Sequence, residues 1–229
     1  TQIQSLPVED TERLLTLQAG ITKGAGGEIH IRGGRSTEVA YNVNGISTVN
    51  PFDFSKTVSI STNAIQELSV VSGTFNAEYG NALSGVVNTV TKEGGSVYRG
   101  SLSYYIGDYF SQDIETFNYI DDINPLGIQV LEGTVGGPIP GVNDQLTFFL
   151  SGRYSKDSGY LYGKRDQTIY DSVWINPNNV EDIQVSSTGD GAYVPMNPSE
   201  YFTGTGKLTF KPITTMKINY DAVYSTSNY

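Results

Sequence analysis

The sequence predicts a small α/β unit followed by antiparallel strands of a transmembrane β-barrel. Three observations carry that prediction: the composition, a change in strand pattern near residue 96, and an alternation of long with short connections. Of 229 residues, 26 are Gly, 16 Tyr and 9 Phe, only 17% are charged and none is Cys. This glycine- and aromatic-rich mix suits β-structure better than helix bundles. No run of 18 apolar residues exists, so no transmembrane helix is expected; barrel strands are only about 9–11 residues long and alternate in polarity, and escape that test.

Residues 1–95 read as the α/β unit. Pro7, Glu9 and Asp10 precede "TERLLTLQAG", with Leu14, Leu15 and Leu17 on an expected buried stripe and Gly20 behind them, start and stop signals for a short helix. Strands are expected at "EIHIRGG", "EVAYNVNGI", "IQELSVVSG" and "SGVVNTVTK", each bounded by Gly, Asn or Ser. In the second, Val39, Tyr41 and Val43 alternate with Ala40, Asn42 and Asn44. "KGAGG" (23–27) is a turn, because it lacks the GxxxxGK[ST] order of a phosphate cradle.

Residues 96–229 change to longer alternating strands. "SLSYYIG" puts Leu102, Tyr104 and Ile106 on one face. "QVLEGTVGG" sets Leu131, Gly133 and Val135 against Glu132 and Thr134. "LTFFLSGRY" sets Leu146, Phe148, Leu150 and Tyr154 against Thr147, Ser151 and Arg153. "FTGTGKLTF" places Leu208 and Phe210 opposite Lys207 and Thr209. "MKINYDAVY" places Met216, Ile218, Tyr220, Ala222 and Tyr224 opposite Lys217, Asn219, Asp221 and Ser225. Connections run long at 107–127, short at "GPIPGVND", long at 161–200 and short at "KPITT". A soluble sandwich also alternates, but short turns at one end, long polar loops at the other and tyrosines near strand ends favour a barrel. The five strands fall short of the roughly eight that close the smallest membrane barrel, and open edges cannot face lipid. The chain is therefore expected to be part of a longer protein.

The formal charge of −10 argues against a nucleic-acid partner. Zero Cys removes thiolate metal sites and cysteine nucleophiles. His30, the one histidine, leaves no second ligand for a His-based zinc site and no partner to spare for a serine triad. Asp121, Asp122 and Asn124 in "YIDDINP" offer oxygens for a weak Ca²⁺ contact without an EF-hand pattern, so a solvated loop is the better reading. Glu181 and Asp182 are adjacent in a polar loop and carry no sign of a buried general acid. No catalytic set, cofactor or metal is expected, and an enzyme is the least favoured class.

"IHIRGGRSTEVAYNVNGI" followed by "NAIQELSVVSGTFNAEYGNALSGVVNTVTKEGG" resembles the plug domain of TonB-dependent outer-membrane receptors, and within them looks like the Bacteroidetes-type, Oar-like members, which often carry an N-terminal carboxypeptidase-regulatory-like domain. An IRG element, an Asn or Asp before Gly-Ile, an Ile-x-Glu strand and an AEYG…SG…N…TKEGG tail occur in the family's order. The resemblance implies a plug at 1–95 and the first part of the barrel at 96–229, about five strands of about 22. It implies import of a nutrient across a Gram-negative outer membrane, driven by TonB through an N-terminal segment that is not recognisable in residues 1–10. Outer-membrane lipid is the implied surroundings. The substrate stays open between siderophore, vitamin, peptide and oligosaccharide, and a non-transporting structural or adhesion component with the same architecture is the alternative.

Residue roles follow from the resemblance in the same way. Arg32 matches the IRG arginine that in relatives locks plug to wall carboxylates, with Arg35 beside it; an arginine fork suits that task. An anionic ligand is the other reading of this pair. Glu67 and Glu78 match acidic positions of the motif. Gly33, Asn44, Gly45, Gly80, Gly85 and Asn88 are plug-motif positions. Gly80 and Gly85 are expected to admit close approach of backbone to wall, Asn88 to pair with polar wall groups, and Gly94 and Gly95 to hinge plug to barrel. Asn44 departs from the family's commoner aspartate, and Ser72-Gly73-Thr74 lacks a second lock arginine. Tyr160, Tyr162, Tyr170, Trp174 and Tyr193 either stack on a ligand or pack their loop on itself.

Overall fold

The computed structural model describes residues 11–73, 82–142 and 145–228, without the side chains of residues 179, 180 and 182. The chain divides into two compact units: Thr1–Ser103 with Leu131–Tyr154 and Tyr201–Thr226, and Tyr104–Val130 with Ser155–Glu200 and Ser227–Tyr229.

The first unit begins with helix α1, Thr11–Thr16, which buries Leu14 and Leu15. The helix stops short of the sequence expectation, and Leu17 is exposed. The reason is local: Gln18 N–H bonds back to Leu15 O, Ile21 N–H to Gln18 O, and Gly20 takes φ +82°, which turns the chain into a strand. That strand, β1 (Ile21–Lys23), pairs antiparallel with β2 (Ile29–Ile31) across the "KGAGG" turn.

A mixed four-stranded sheet follows, in the order β4-β3-β6-β5, from β3 (Val39–Val43), β4 (Ile46–Ser47), β5 (Ile65–Ser72) and β6 (Gly85–Thr91). The stretch "EVAYNVNGI", expected as one strand, is a hairpin. Asn44 at φ +50° and Gly45 at φ +83° turn β3 into β4, as an Asn-Gly pair does in a two-residue turn whose twist matches the strands. β3 runs parallel to β6 and β5 antiparallel to it. Leu15, Ile21, Ile29, Ile31, Val39 and Val87 form one core cluster.

Five long strands make the second sheet, in the order β15-β14-β9-β8-β7: β7 (Arg99–Gly107), β8 (Ile128–Pro138), β9 (Leu146–Asp157), β14 (Ser199–Ile213) and β15 (Met216–Asn228). Their alternation follows the sequence: Leu102, Leu131, Leu150, Leu208 and Tyr220 are exposed, whereas Thr147, Ser151, Arg153, Lys207 and Thr209 are buried. Exposed apolar and buried polar side chains invert the pattern of a soluble sheet and fit a wall with lipid outside and a polar filling inside. These five strands do not close a barrel.

The second unit contains four short strands between β9 and β14. β10 (Tyr162–Lys164) pairs with β13 (Tyr193–Pro195), and β11 (Val173–Asn176) with β12 (Asn179–Val185). Tyr119, at φ +68°, stacks on Tyr193 at 4.9 Å and leans on Tyr162 at 5.2 Å; Tyr160 meets Tyr109 and Phe117 edge-on. Three of the five aromatics singled out in loop 161–200 and its approach thus pack the loops on themselves, while Tyr170 and Trp174 stay exposed.

Candidate functional site: the junction of plug and wall

Within the first unit the four-stranded sheet meets the inner face of the wall strands, and the "TKEGG" segment at the end of β6 supplies several of the contacts. Each of its first three residues has a defined partner. Thr91 N–H donates to Asn44 Oδ1 at 3.0 Å, and Asn44 Nδ2 donates to Thr91 Oγ1 and to Asp221 Oδ1 of β15, both at 2.8 Å. Lys92 Nζ donates to Asn63 O at 2.8 Å and its N–H to Ala64 O at 2.8 Å. Glu93 Oε1 lies 3.2 Å from Lys207 Nζ of β14 and 2.7 Å from Lys217 Nζ of β15. A Cβ on Gly94 would stand 2.2 Å from Phe148 O, so only glycine lets the backbone reach β9 there.

Lys207 is the centre of this set. Its side chain is 2% exposed, and besides Glu93 it reaches Asp221 Oδ1 at 3.8 Å and Thr91 Oγ1 at 3.4 Å. Two ammonium groups and two carboxylates balance in charge, which is the condition under which ions tolerate burial. Burial pushes the Glu93 carboxyl up, but hydrogen bonds and charge from Lys217 and Lys207 outweigh it, and the net shift is downward. Lys92 is shifted downward by burial.

An apolar contact lies beside the polar one. Phe149 points inward with Thr147, Ser151 and Arg153, as the alternation of "LTFFLSGRY" places it, and packs with Ile60, Ala64 and Ile65; Val43, Val58 and Val223 flank the cluster. Asn63 Nδ2 reaches Gly152 O at 3.4 Å. Three further charges of the α/β unit pair with one another. Glu12 pairs with Lys23 at 3.3 Å and Lys56 at 3.7 Å, and Lys56 lies 5.9 Å from the Tyr41 ring centre. Burial, helped by the Glu12 charge, pushes the Tyr41 hydroxyl up to about 12.

The residues singled out from the sequence divide into three groups. Asn44 and Gly45 form the turn, and Asn44 is the asparagine that meets the wall. Asn88 instead accepts from Asn42 Nδ2 at 3.1 Å inside the sheet. Gly85 approaches its own unit, not the wall: a Cβ there would stand 2.5 Å from Ile31 Cδ1. The glycine that approaches the wall is Gly94. Arg32 (φ +52°) and Gly33 (φ +76°) form a left-handed turn after β2; Arg32, Arg35 and Glu67 are exposed and have no ion pair among the described residues. The Arg32 guanidinium lies over Gly73, and Arg35 N–H donates to Glu38 Oε2 at 3.2 Å. Glu78 and Gly80 lie outside the described residues. His30 Nδ1–H donates to Gly34 O at 2.9 Å. Among the described residues no group of three or more His, Asp or Glu side chains is placed to hold a metal. Sequence reasoning did not single out Glu93, Lys207, Asp221 or Phe149. The available signals were a lone lysine in a threonine-rich inward face and a phenylalanine on the otherwise polar inward face of β9.

Comparison with known proteins gives the same assignment. Residues 1–86 match the family model of the TonB-dependent receptor plug domain. Over 74 residues the chain is 31% identical to the TonB-dependent transporter Oar of Myxococcus xanthus, covering 32% of this chain and 7% of that protein. The fold resembles the siderophore receptor PirA of Acinetobacter baumannii (TM-score 0.65, 18% identity, 99% of this chain and 30% of that one). It also resembles the outer membrane transporter YddB of Escherichia coli (TM-score 0.63, 15% identity, 98% and 32%). The chain thus spans about a third of the length of these solved receptors. Residues 1–86 thus match the TonB-dependent receptor plug domain, and together with the antiparallel strands that follow they share the fold of these solved receptors.

Proposed function

We propose that the whole protein is a TonB-dependent transporter of a Gram-negative outer membrane, which binds a solute at the cell surface and admits it to the periplasm when TonB pulls on the plug. Residues 1–95 form the plug and 96–229 the opening stretch of the barrel wall. One observation carries the reading: among the described residues, plug and wall are joined by a few hydrogen bonds, one charge-balanced ion network and a single small apolar cluster. Such a joint holds in the resting state and parts under load, because each of its polar groups has water as a replacement partner once exposed. Arg32, Arg35, Glu67 and Glu78 are assigned to the lock with wall strands beyond these five; exposure of the first three supports this.

Because residues 1–229 carry no cysteine, a thiol introduced among them in an otherwise cysteine-free receptor gives a direct test. Ala64→Cys puts a thiol at a fully buried position of the plug beside Phe149. In cells with working TonB, an impermeant maleimide added to the periplasmic side should label it. Cells lacking TonB, or treated with a protonophore, should leave it unlabelled. Equal labelling in all three conditions would remove transport by plug movement and favour a static structural or adhesive role.

A further inference from the structure

We propose that the tyrosine stack of the second unit is a binding site for an organic cation, a solute whose ammonium or guanidinium group seats against the rings of Tyr119 and Tyr193. Both long connections build the stack. Tyr119 comes from the connection after β7, and Tyr162 and Tyr193 come from β10 and β13. The Tyr119 ring lies within 14° of parallel to that of Tyr193 at 4.9 Å and tilts against Tyr162 at 5.2 Å. Tyr119 is held at φ +68°, a left-handed backbone that a bulky residue keeps only where its surroundings fix it. Packing alone would bury such a stack, yet Tyr119 stays 59% and Tyr193 41% exposed. Ring surface that has been locked in place is thus left open to solvent.

Charge around the stack is one-sided. Segment 107–127 holds Asp108, Asp113, Glu115, Asp121 and Asp122 and no basic residue. The basic side chains of the unit are Lys156, Lys164 and Arg165, and each already faces a carboxylate, of Glu200 at 3.9 Å, Asp166 at 3.2 Å and Asp190 in a two-pronged pair. Two other carboxylates stand beside the rings. Asp157, at the end of β9, accepts from the Tyr109 hydroxyl at 2.9 Å and from Gly159 N–H at 2.7 Å, and Asp108, just after β7, accepts from Asn124 N–H. Both are half-buried, and neither has an ion pair among the described residues. Burial first, then Asp108, Tyr119 and Asp157, push the Tyr162 hydroxyl up, which sets these two carboxylates within electrostatic reach of the stack.

The faces of aromatic rings attract cations through their electron-rich π-systems, and partly desolvated carboxylates without a counter-ion add to that attraction while they repel anions. Each feature alone admits other guests, since rings also stack on sugars and carboxylates also take inorganic ions. Together they select a guest with carbon surface for the rings and positive charge for the aspartates, which an organic ammonium or guanidinium supplies and a hydrated metal ion or a neutral sugar does not. This inference rests on the transport reading, because it names the class of solute that the receptor would capture.

Isothermal titration of the purified intact receptor in a neutral detergent at low salt tests it, with spermidine as the probe and triethylene glycol and citrate as neutral and anionic comparisons. Spermidine alone should bind saturably. Tyr119→Ala should weaken that binding roughly three- to tenfold, whereas Tyr119→Phe keeps the ring and should keep the parent affinity. Asp108→Asn with Asp157→Asn retains the hydrogen-bond acceptors but removes the charges, and should both weaken binding and flatten its dependence on salt. Failure of spermidine to bind, equal binding of triethylene glycol or citrate, or a Tyr119→Ala affinity equal to the parent's would overturn the proposal. No TonB takes part in this titration. A receptor that shows TonB-dependent labelling of Ala64→Cys but ignores spermidine therefore loses the cation site and keeps the transport reading.

Discussion

Replacing Lys207 by Met removes the central cation of the junction while keeping its length and apolar stem. Removing one partner of a buried ion pair costs about 3–5 kcal/mol, since the other charge stays behind without compensation. Two features reduce that cost here. Glu93 keeps Lys217 at 2.7 Å, and the Glu93 and Asp221 side chains are 24% and 21% exposed, so solvent screens what remains. The expected loss is about 2–3 kcal/mol. With a urea dependence of roughly 1–1.5 kcal/mol/M for a unit of this size, the plug midpoint falls by roughly 2 M. The assay is a dye on Ser47→Cys, an exposed position of β4, followed through urea unfolding of the plug in the detergent-solubilised receptor. Glu93→Gln alone should also lower the midpoint, and the double variant should fall short of the sum of the singles by about 1–2 kcal/mol, as residues in one network do. A Lys207→Met midpoint within about 0.3 M of the parent would show that this ammonium does not hold the plug.

Gly94→Ala should prevent proper seating, because the new Cβ would stand 2.2 Å from Phe148 O, whereas Gly95→Ala meets nothing nearer than 3.9 Å and should be tolerated; protease sensitivity of the plug in isolated outer membranes distinguishes the two. Asn44→Asp keeps a residue that accepts the left-handed turn but sets a second carboxylate against Asp221, where the amide now donates at 2.8 Å. Like charges raise the affinity of the pair for a proton, so this variant should be weaker than the parent at pH 7.5 and recover as pH falls, read by the same dye. In the parent, the Glu93 carboxyl sits below its ordinary value of 4.5. Its contribution to plug stability is therefore fully present above that value and lost as pH falls through the lowered one. Glu93→Gln should flatten this step in a series of midpoints from neutral pH downward.

Much of the architecture is written locally. An Asn-Gly pair between β-branched runs specifies a tight hairpin whatever surrounds it, because few residues other than Asn, Asp and Gly accept its left-handed backbone. The faces of the five wall strands follow from a period of two, so Leu208 out and Lys207 in needed no tertiary knowledge. Locality also explains where the reading fell short. Leu17 continues the apolar run of α1 yet lies past the turn that ends it, and Phe149 is as apolar as Phe148 but on the opposite face. Strand alternation says that Phe149 points inward; it cannot say that an apolar plug patch at Ile60, Ala64 and Ile65 waits there.

By itself, then, the sequence determined the long wall strands, their faces and the resemblance to the plug family, each encoded within a few residues or one motif, but not the β3–β4 hairpin, the end of α1 or the short strands β10–β13. Only the tertiary structure decided which inward polar groups meet the plug. Asn44 and Asp221 are 177 positions apart, and Lys207 and Thr91 are 116 apart. Whether such groups touch depends on strand register and on the docking of one sheet against another, which no local pattern carries. The same reason moved the close backbone approach from Gly85 to Gly94, since a glycine's freedom is visible in the chain but the neighbour that requires it is not.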